Sequence, residues 1–108
     1  MEKRKRYKID EPTGLTSLTV CYHVYWSLFK KCKWYSIDVE AGYSDEYWNF
    51  EPEEMKKLAQ LFRKRTTIKG IIEAVTGLRR QIPASNQRNL DRFLDTHHIK
   101  YKYYAWHD

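Results

Sequence analysis

Two runs of alternating side chains, joined by a short polar link, constrain the fold of this chain more than any other feature. In residues 18–28, apolar or aromatic side chains occupy the even positions and alternate with a second set of side chains at the odd positions. The same period of two continues from Tyr35 to Ala41. Such alternation is typical of strands that bury one face. With residues 30–33 as a solvated turn, the two runs predict an antiparallel β-hairpin.

The segments next to this hairpin predict shorter elements. Residues 1–14 are polar and basic, which indicates an N-terminal arm or an edge strand through residues 6–9. Gly42 is expected to close the second strand. Residues 44–46 are typical of a turn, and residues 47–50 form either a third short strand or an aromatic lead-in to a helix.

Three helical patterns follow. Pro52 and the two glutamates after it favour a first helix, which basic residues 63–65 would end. Thr66 or Thr67 can cap a second helix, with Gly77 as its predicted end. Ser85 is a good cap for a third helix, and the spacing places His97 on its inner face.

From residue 99 to residue 106 the period returns to two, which predicts a C-terminal strand that joins the sheet. The expected fold is therefore α+β, with an N-terminal antiparallel hairpin or meander, three helices on one face and a C-terminal strand. A chain of 108 residues is long enough for one core. We predict a single domain over residues 1–108, with 1–14 as its arm or edge strand.

Several classes of protein are disfavoured by the sequence. Cys21 and Cys32 are the only cysteines and their spacing fits neither a zinc site nor a disulfide framework. There is no apolar run of about 20 residues and no signal peptide pattern. We expect a cytoplasmic protein with no membrane partner, no metal and no cofactor, and its oligomeric state stays open.

Candidate catalytic groups are few. Cys21 and His23 point the same way on a strand, which could activate a thiol, but no third partner follows at a matching spacing. Asp38 and Glu40 share the other strand's polar face, where a solvated surface is the plainer interpretation. The four glycines form no phosphate-binding loop. We therefore predict a protein that is not an enzyme.

Charge is segregated along the chain, and this segregation carries the functional hypotheses. The net charge is +5 over residues 1–33, −7 over residues 34–55 and +8 over residues 56–108. Clustered charge of one sign attracts partners of the other sign.

The leading hypothesis is a binding protein that acts on nucleic acid or a nucleoprotein complex through a basic helical surface. Tyrosines interleave with Lys100 and Lys102 near the end of the chain, and such a mixture can stack bases while it neutralises phosphates. The candidate residues are Arg63, Lys64, Arg65, Lys69, Arg79, Arg80, Arg88, Arg92, Lys100 and Lys102.

The alternative hypothesis uses the acidic segment. An acidic, aromatic hairpin could imitate a nucleic-acid backbone and occupy the basic groove of a host protein, in the manner of small phage or mobile-element inhibitors of the anti-CRISPR or anti-restriction type. The candidate residues for such protein binding are Asp38, Glu40, Tyr43, Asp45, Glu46, Tyr47 and Trp48.

Overall fold

The computed structural model describes residues 2–9, 17–40, 44–82 and 87–107, which form an α+β fold. Their five strands are β1 (Glu2–Ile9), β2 (Ser17–Trp26), β3 (Lys31–Glu40), β4 (Ser44–Phe50) and β5 (Lys102–His107). Their three helices are α1 (Pro52–Leu61), α2 (Ile68–Gln81) and α3 (Gln87–Thr96). None of these helices is long and apolar enough to cross a membrane.

The strands form one antiparallel sheet in chain order, β1-β2-β3-β4-β5. Val20 of β2 lies opposite Tyr7 of β1 and Ile37 of β3, so the predicted hairpin is the centre of a meander. The chain then makes three helices before β5 adds beside β4, with Tyr103 opposite Trp48. The N-terminal hairpin, the edge strand and the C-terminal strand are confirmed.

The apolar core lies between the three helices and one face of the sheet. On each strand this face carries the residues that the period-two pattern grouped together, and each helix contributes its apolar stripe. The largest fully buried members are Val20, Ile37, Trp48, Phe50, Met55, Leu58, Ile71, Val75 and Leu94. None of the three described helices packs on the other face of the sheet, which we call the open face.

The starts of α1 and α2 match the sequence, but two of the helix ends do not. Pro52 opens α1, and the Thr67 side chain accepts the N–H of Gly70 at 3.1 Å to cap α2. Helix α1 ends earlier than predicted, at Leu61, because Arg63 adopts a left-handed conformation with φ 57° and Lys64 N–H bonds back to Ala59 O at 2.8 Å. That pair of features is the usual helix-terminating motif, here without glycine.

Gly77 does not end α2, which continues to Gln81. A Cβ at position 77 would lie 3.0 Å from Cδ1 of Phe62. The glycine therefore serves close packing of the α1–α2 connection rather than termination.

Two predicted turns were misplaced. The β2–β3 turn is at residues 27–30, so residues 31–33 belong to β3 instead. Residues 44–46 are strand, because Glu46 is paired with Val39 on one side and Ala105 on the other. Ladder hydrogen bonds on both sides outweigh the local turn preference of Ser-Asp-Glu.

His97 was predicted on the inner face of the third helix, but it is exposed beyond the end of α3. Its ring instead packs on Phe93, with the ring centroids 4.5 Å apart. The helix ends because His98 takes a left-handed φ of 57°. Gly42 and Ser85, which carried two boundary predictions, lie outside the described residues.

Candidate functional site

The basic residues predicted to form one helical surface are spread over several places. Arg63, Lys64 and Arg65 lie exposed in the α1–α2 connection, and Lys64 Nζ is 3.8 Å from Glu73. Arg79 is only 8% exposed. The Arg88 side chain lies outside the described part of the chain.

The remaining candidates separate into two groups. Lys69 and Arg80 are exposed on α2, and Arg92 lines a cavity of about 390 Å³ between the end of α2 and α3. Lys100 and Lys102 line a different and larger cavity, at the start of β5. The terminal lysines thus belong to a separate site from the helical arginines.

We call this larger cavity, about 760 Å³, the lysine cleft. Five lysines and three partly exposed aromatic residues line it, together with Cys32 and residues 49–52. The lysines are Lys30, Lys31, Lys33, Lys100 and Lys102, and the aromatics are Trp34, Tyr101 and Tyr104. Glu51 is the single carboxylate among the described lining residues.

The cleft exists because β3 is longer than β4. Pairing between these strands stops at Tyr35 and Phe50, after which the chain turns into α1 at Pro52. Residues 31–34 of β3 continue past that point without β4, paired, among the described strands, only with β2. Their far side is bounded by the start of β5, which reaches β4 at Asn49 opposite Lys102.

One wall of the cleft is held in place by Glu54. Its Oε1 accepts the backbone N–H of Lys100 at 2.8 Å and the Nζ of Lys57 at 3.0 Å. These hydrogen bonds, led by the one from Lys100, lower the pKa of the Glu54 carboxyl below its usual value. The start of β5 is thereby tied to α1, while the Lys100 ammonium stays exposed.

Two aromatic residues of the cleft differ in their surroundings, since Trp34 is stacked on a neighbouring ring and Tyr104 faces solvent. Trp34 lies parallel to the His23 ring, with the centroids 4.7 Å apart. Tyr104 is 52% exposed and offers its ring to solvent. Burial, helped by Asp91 and Asp95, raises the pKa of Tyr101 to about 12, so its phenol is neutral near pH 7 and adds no negative charge.

The centre of the open face holds a second group of polar residues that are buried. Asp38 is 4% exposed, and its Oδ2 accepts a hydrogen bond from Cys21 Sγ at 3.2 Å. The face expected to be solvated is therefore dry at its centre. Small side chains in the middle of the sheet are enclosed by larger ones in the neighbouring rows, which the alternation pattern alone could not reveal.

Cys21 and His23 share this face as predicted, yet they have separate partners. Burial and Asp38 raise the pKa of the Cys21 thiol to about 11, which is the reverse of what an activated nucleophile needs. His23 Nε2 lies 2.8 Å from Ser36 Oγ, and its Nδ1 lies 3.4 Å from Glu2 Oε1. Ser36 is 1% exposed, although it lines a shallow cavity of about 380 Å³ with His23 and Asp38.

The acidic candidate residues are mostly engaged with other groups. Glu40 Oε1 accepts from Arg6 at 3.0 Å, and Glu46 Oε1 accepts from Tyr103 at 3.0 Å. Trp48 is fully buried and its Nε1 donates to Asp91 at 2.8 Å. Asp45 and Tyr47 are half-buried, and Tyr43 lies outside the described residues.

No group of three or more His, Cys, Asp or Glu side chains within residues 2–9, 17–40, 44–82 and 87–107 is placed to hold a metal ion. Comparison with known protein families, with curated proteins and with solved structures finds no match for the chain.

Sequence reasoning found Lys100 and Lys102 but missed the other half of the cleft. Residues 30–33 were assigned to a solvated turn, which gave their three lysines no role. A signal was present in the similarity of Lys-Lys-Cys-Lys-Trp at 30–34 to Lys-Tyr-Lys-Tyr-Tyr at 100–104. Both segments interleave lysines with other residues, and each segment ends in an aromatic residue.

Proposed function

We propose that the protein binds single-stranded nucleic acid in the lysine cleft and does so without chemical turnover. The observation that supports this most is the meeting of five exposed lysines with Trp34 and Tyr104 around one cavity of about 760 Å³. Positive grooves combined with aromatic platforms are how proteins hold single strands without sequence readout.

Charge supports an anionic ligand that extends over several groups. The five lysines come from two segments about 70 positions apart in the chain, residues 30–33 and 100–102, and only Glu51 opposes them among the described lining residues. Neutralised phosphates release counterions, so binding by these lysines should depend steeply on salt.

The aromatic residues support a ligand with planar rings. Tyr104 is exposed, and Trp34 is backed by the parallel His23 ring, so a base could stack without rearranging the wall. Each stacked base contributes about 1–3 kcal/mol in proteins of this kind. The volume of the cleft, about 760 Å³, lies within the usual range of about 300–1,000 Å³ for ligand sites.

The helical basic surface is the competing location for the same function. Its residues are exposed at positions such as Arg65 and Lys69, but Arg79 is buried and Arg92 lines a separate cavity. The cleft is favoured because it combines charge, concavity and aromatic rings in one place.

Fluorescence anisotropy with labelled single strands of DNA and of RNA tests the proposal. We expect log affinity to fall with log salt by about 0.7 for each phosphate neutralised, up to about 3.5 for five lysines. A Lys30→Ala/Lys33→Ala variant should weaken binding and reduce this slope by about 1.4, that is 0.7 for each of two lysines.

The matched control removes the same charge from the helical side, in an Arg65→Ala/Lys69→Ala variant. It should bind like the unaltered protein. Equal weakening by both variants would show that general positive charge, and not the cleft, governs binding. The absence of any complex at low salt with either nucleic acid would overturn the proposal.

The Tyr104→Ala variant tests stacking separately from charge. It should lower affinity at every salt concentration and leave the salt slope unchanged, because a neutral ring releases no counterion. A change in slope without a change in affinity at high salt would contradict the stacking role.

The inhibitor hypothesis stays a prediction with its own test. A basic host protein should be recovered by this chain from nuclease-treated lysate, and charge reversal at Asp45 and Glu46 should abolish that recovery. Recovery unchanged by the reversal would count against the acidic hairpin.

A further inference from the structure

The turn between β2 and β3 presents two large apolar side chains almost completely to solvent. Leu28 is 95% exposed and Phe29 is 96% exposed, more than any other large apolar side chain reported for the described residues. They follow Trp26 and Ser27 at the point where the paired strands end, with Trp26 opposite Lys31. We call these two residues the apolar tip.

Hydrogen bonds between Ser27 and Lys30 close the turn beneath the apolar tip. Ser27 N–H donates to Lys30 O at 2.8 Å, Ser27 Oγ donates to the same oxygen at 3.1 Å, and Lys30 N–H donates to Ser27 Oγ at 3.1 Å.

Turn chemistry does not call for these residues. Tight hairpin turns favour Asn, Asp, Gly and Ser, which tolerate the backbone conformation and interact with water. Neither Leu nor Phe supplies such an interaction, and neither is packed against the core in this fold. A fully exposed apolar pair indicates a surface that a partner covers.

The surroundings of the tip indicate an anionic partner. Lys30 and Lys31 follow it directly, and the Nζ atoms of Lys3 and Lys31 lie 5.6 Å and 5.4 Å from the Trp26 ring centroid on the hairpin stem. Lys30 and Lys31 also line the lysine cleft. A strand bound in the cleft would therefore reach the tip.

We propose that the apolar tip is a wedge, and that the ligand of the lysine cleft is a junction at which a single strand leaves a duplex. The single strand lies in the cleft while Leu28 and Phe29 insert between the last two base pairs of the duplex and separate them. Proteins that kink or open nucleic acid insert Phe or Leu between base steps in the same way, with basic residues on the adjoining phosphates. This inference rests on the proposed function, because it names the substrate of the same site.

Binding to three forms of one labelled sequence tests the wedge: the single strand, the blunt duplex and the duplex with a single-stranded tail. The tailed duplex should bind about tenfold more tightly than the single strand, as burial of one or two apolar side chains would allow. A 2-aminopurine placed in the last base pair should brighten on binding, because the wedge unstacks it.

A Leu28→Ser/Phe29→Ser variant should lose the preference for the tailed duplex and the 2-aminopurine signal, yet still bind the single strand. The matched control is Leu61→Ser, at an exposed apolar residue that ends α1; it should behave like the unaltered protein. If the tip variant keeps the junction preference, the wedge is wrong.

The outcomes separate this inference from the proposed function. Equal affinity for the single strand and the tailed duplex would overturn the wedge alone, whereas no binding to any of the three forms would overturn both. Co-sedimentation with phosphatidylserine vesicles provides the competing result. Tip-dependent sedimentation, with no effect of the tip variant on nucleic acid, would make the tip a membrane contact and would also overturn the wedge.

Discussion

The two faces of the sheet are equally dry at their centres but are built from different chemistry. On the helix-covered face, Ile37 and Trp48 are fully buried among apolar side chains. On the open face, Cys21 and Ser36 are just as buried, but each has a polar partner. Burial of the first kind is favourable for any close-packed apolar side chain, whereas burial of the second kind is tolerated only where hydrogen bonds replace water.

The open face also contains a buried polar atom without a hydrogen-bond partner among the described residues, which lowers the contribution of this face to stability. Asp38 Oδ1 is buried and has no hydrogen-bond partner in the described part of the chain. Leaving a polar atom in this state costs about 1–3 kcal/mol. The open face therefore contributes less to stability than its burial suggests.

Two tryptophans, one on each face, give the largest test of this comparison. Trp48→Ala removes a fully buried side chain and its hydrogen bond to Asp91, so the free energy of unfolding should fall by about 3–5 kcal/mol. Trp34→Ala removes a half-buried side chain of the open face, so the free energy of unfolding should fall by only about 1–2 kcal/mol. Urea unfolding measures both, and equal losses would mean that the two faces contribute alike.

High pH should destabilise the open face through the Cys21 thiol. The Cys21 thiol has a pKa of about 11 in the folded protein against 9.0 as its ordinary value, so its stabilisation is complete below pH 9 and is lost as pH rises toward 11. This one group should lower the free energy of unfolding by about 2–3 kcal/mol across that window. Comparing Cys21→Ala with the unaltered protein from pH 8 to pH 11 isolates it; identical pH profiles would contradict the burial of the thiol.

The Cys21→Ala change at pH 7 should have an intermediate effect. Asp38 loses the donor to its Oδ2 and a small cavity is left, so stability should fall by about 1–2 kcal/mol. Thiol labelling gives a second readout, because half-buried Cys32 should react in the folded protein while Cys21 should react only on unfolding. Rapid labelling of both thiols would break the comparison.

The rim of the open face should matter least. Arg6 and Glu40 form an ion pair whose two side chains are each 45% exposed. Exposed pairs contribute about 0–1 kcal/mol, so Glu40→Ala should change the melting temperature very little, and less still at high salt. A loss as large as that of Cys21→Ala would mean that the dry centre extends to this rim.

Local pattern was sufficient to predict which residues share a face. The alternation in β2, β3 and β5 grouped the core residues correctly, and Pro52 and Thr67 marked the starts of two helices. These signals are carried by neighbours in sequence, such as the spacing of Val20 and Tyr22 or a threonine three positions before the N–H that it caps.

What could not be predicted depends on residues distant in the chain. Whether the face of Asp38 is wet or dry is decided by its neighbours on β2 and β4, and one wall of the lysine cleft exists only because β5 returns to lie beside β4. The end of α1 depends on Arg63, a residue type that seldom adopts a left-handed backbone. The exposed turn at Leu28 and Phe29 departs from turn chemistry, which is why the pattern extended β2 by two residues too many.

The composition of β1 has a consequence for solubility. An edge strand presents unpaired backbone groups that can recruit a second sheet, and lysine is a residue that proteins use to prevent this. Five of the eight residues of β1 are exposed Lys or Arg. Two molecules approaching through their β1 strands would bring these cations together, so this edge resists pairing with its own copy.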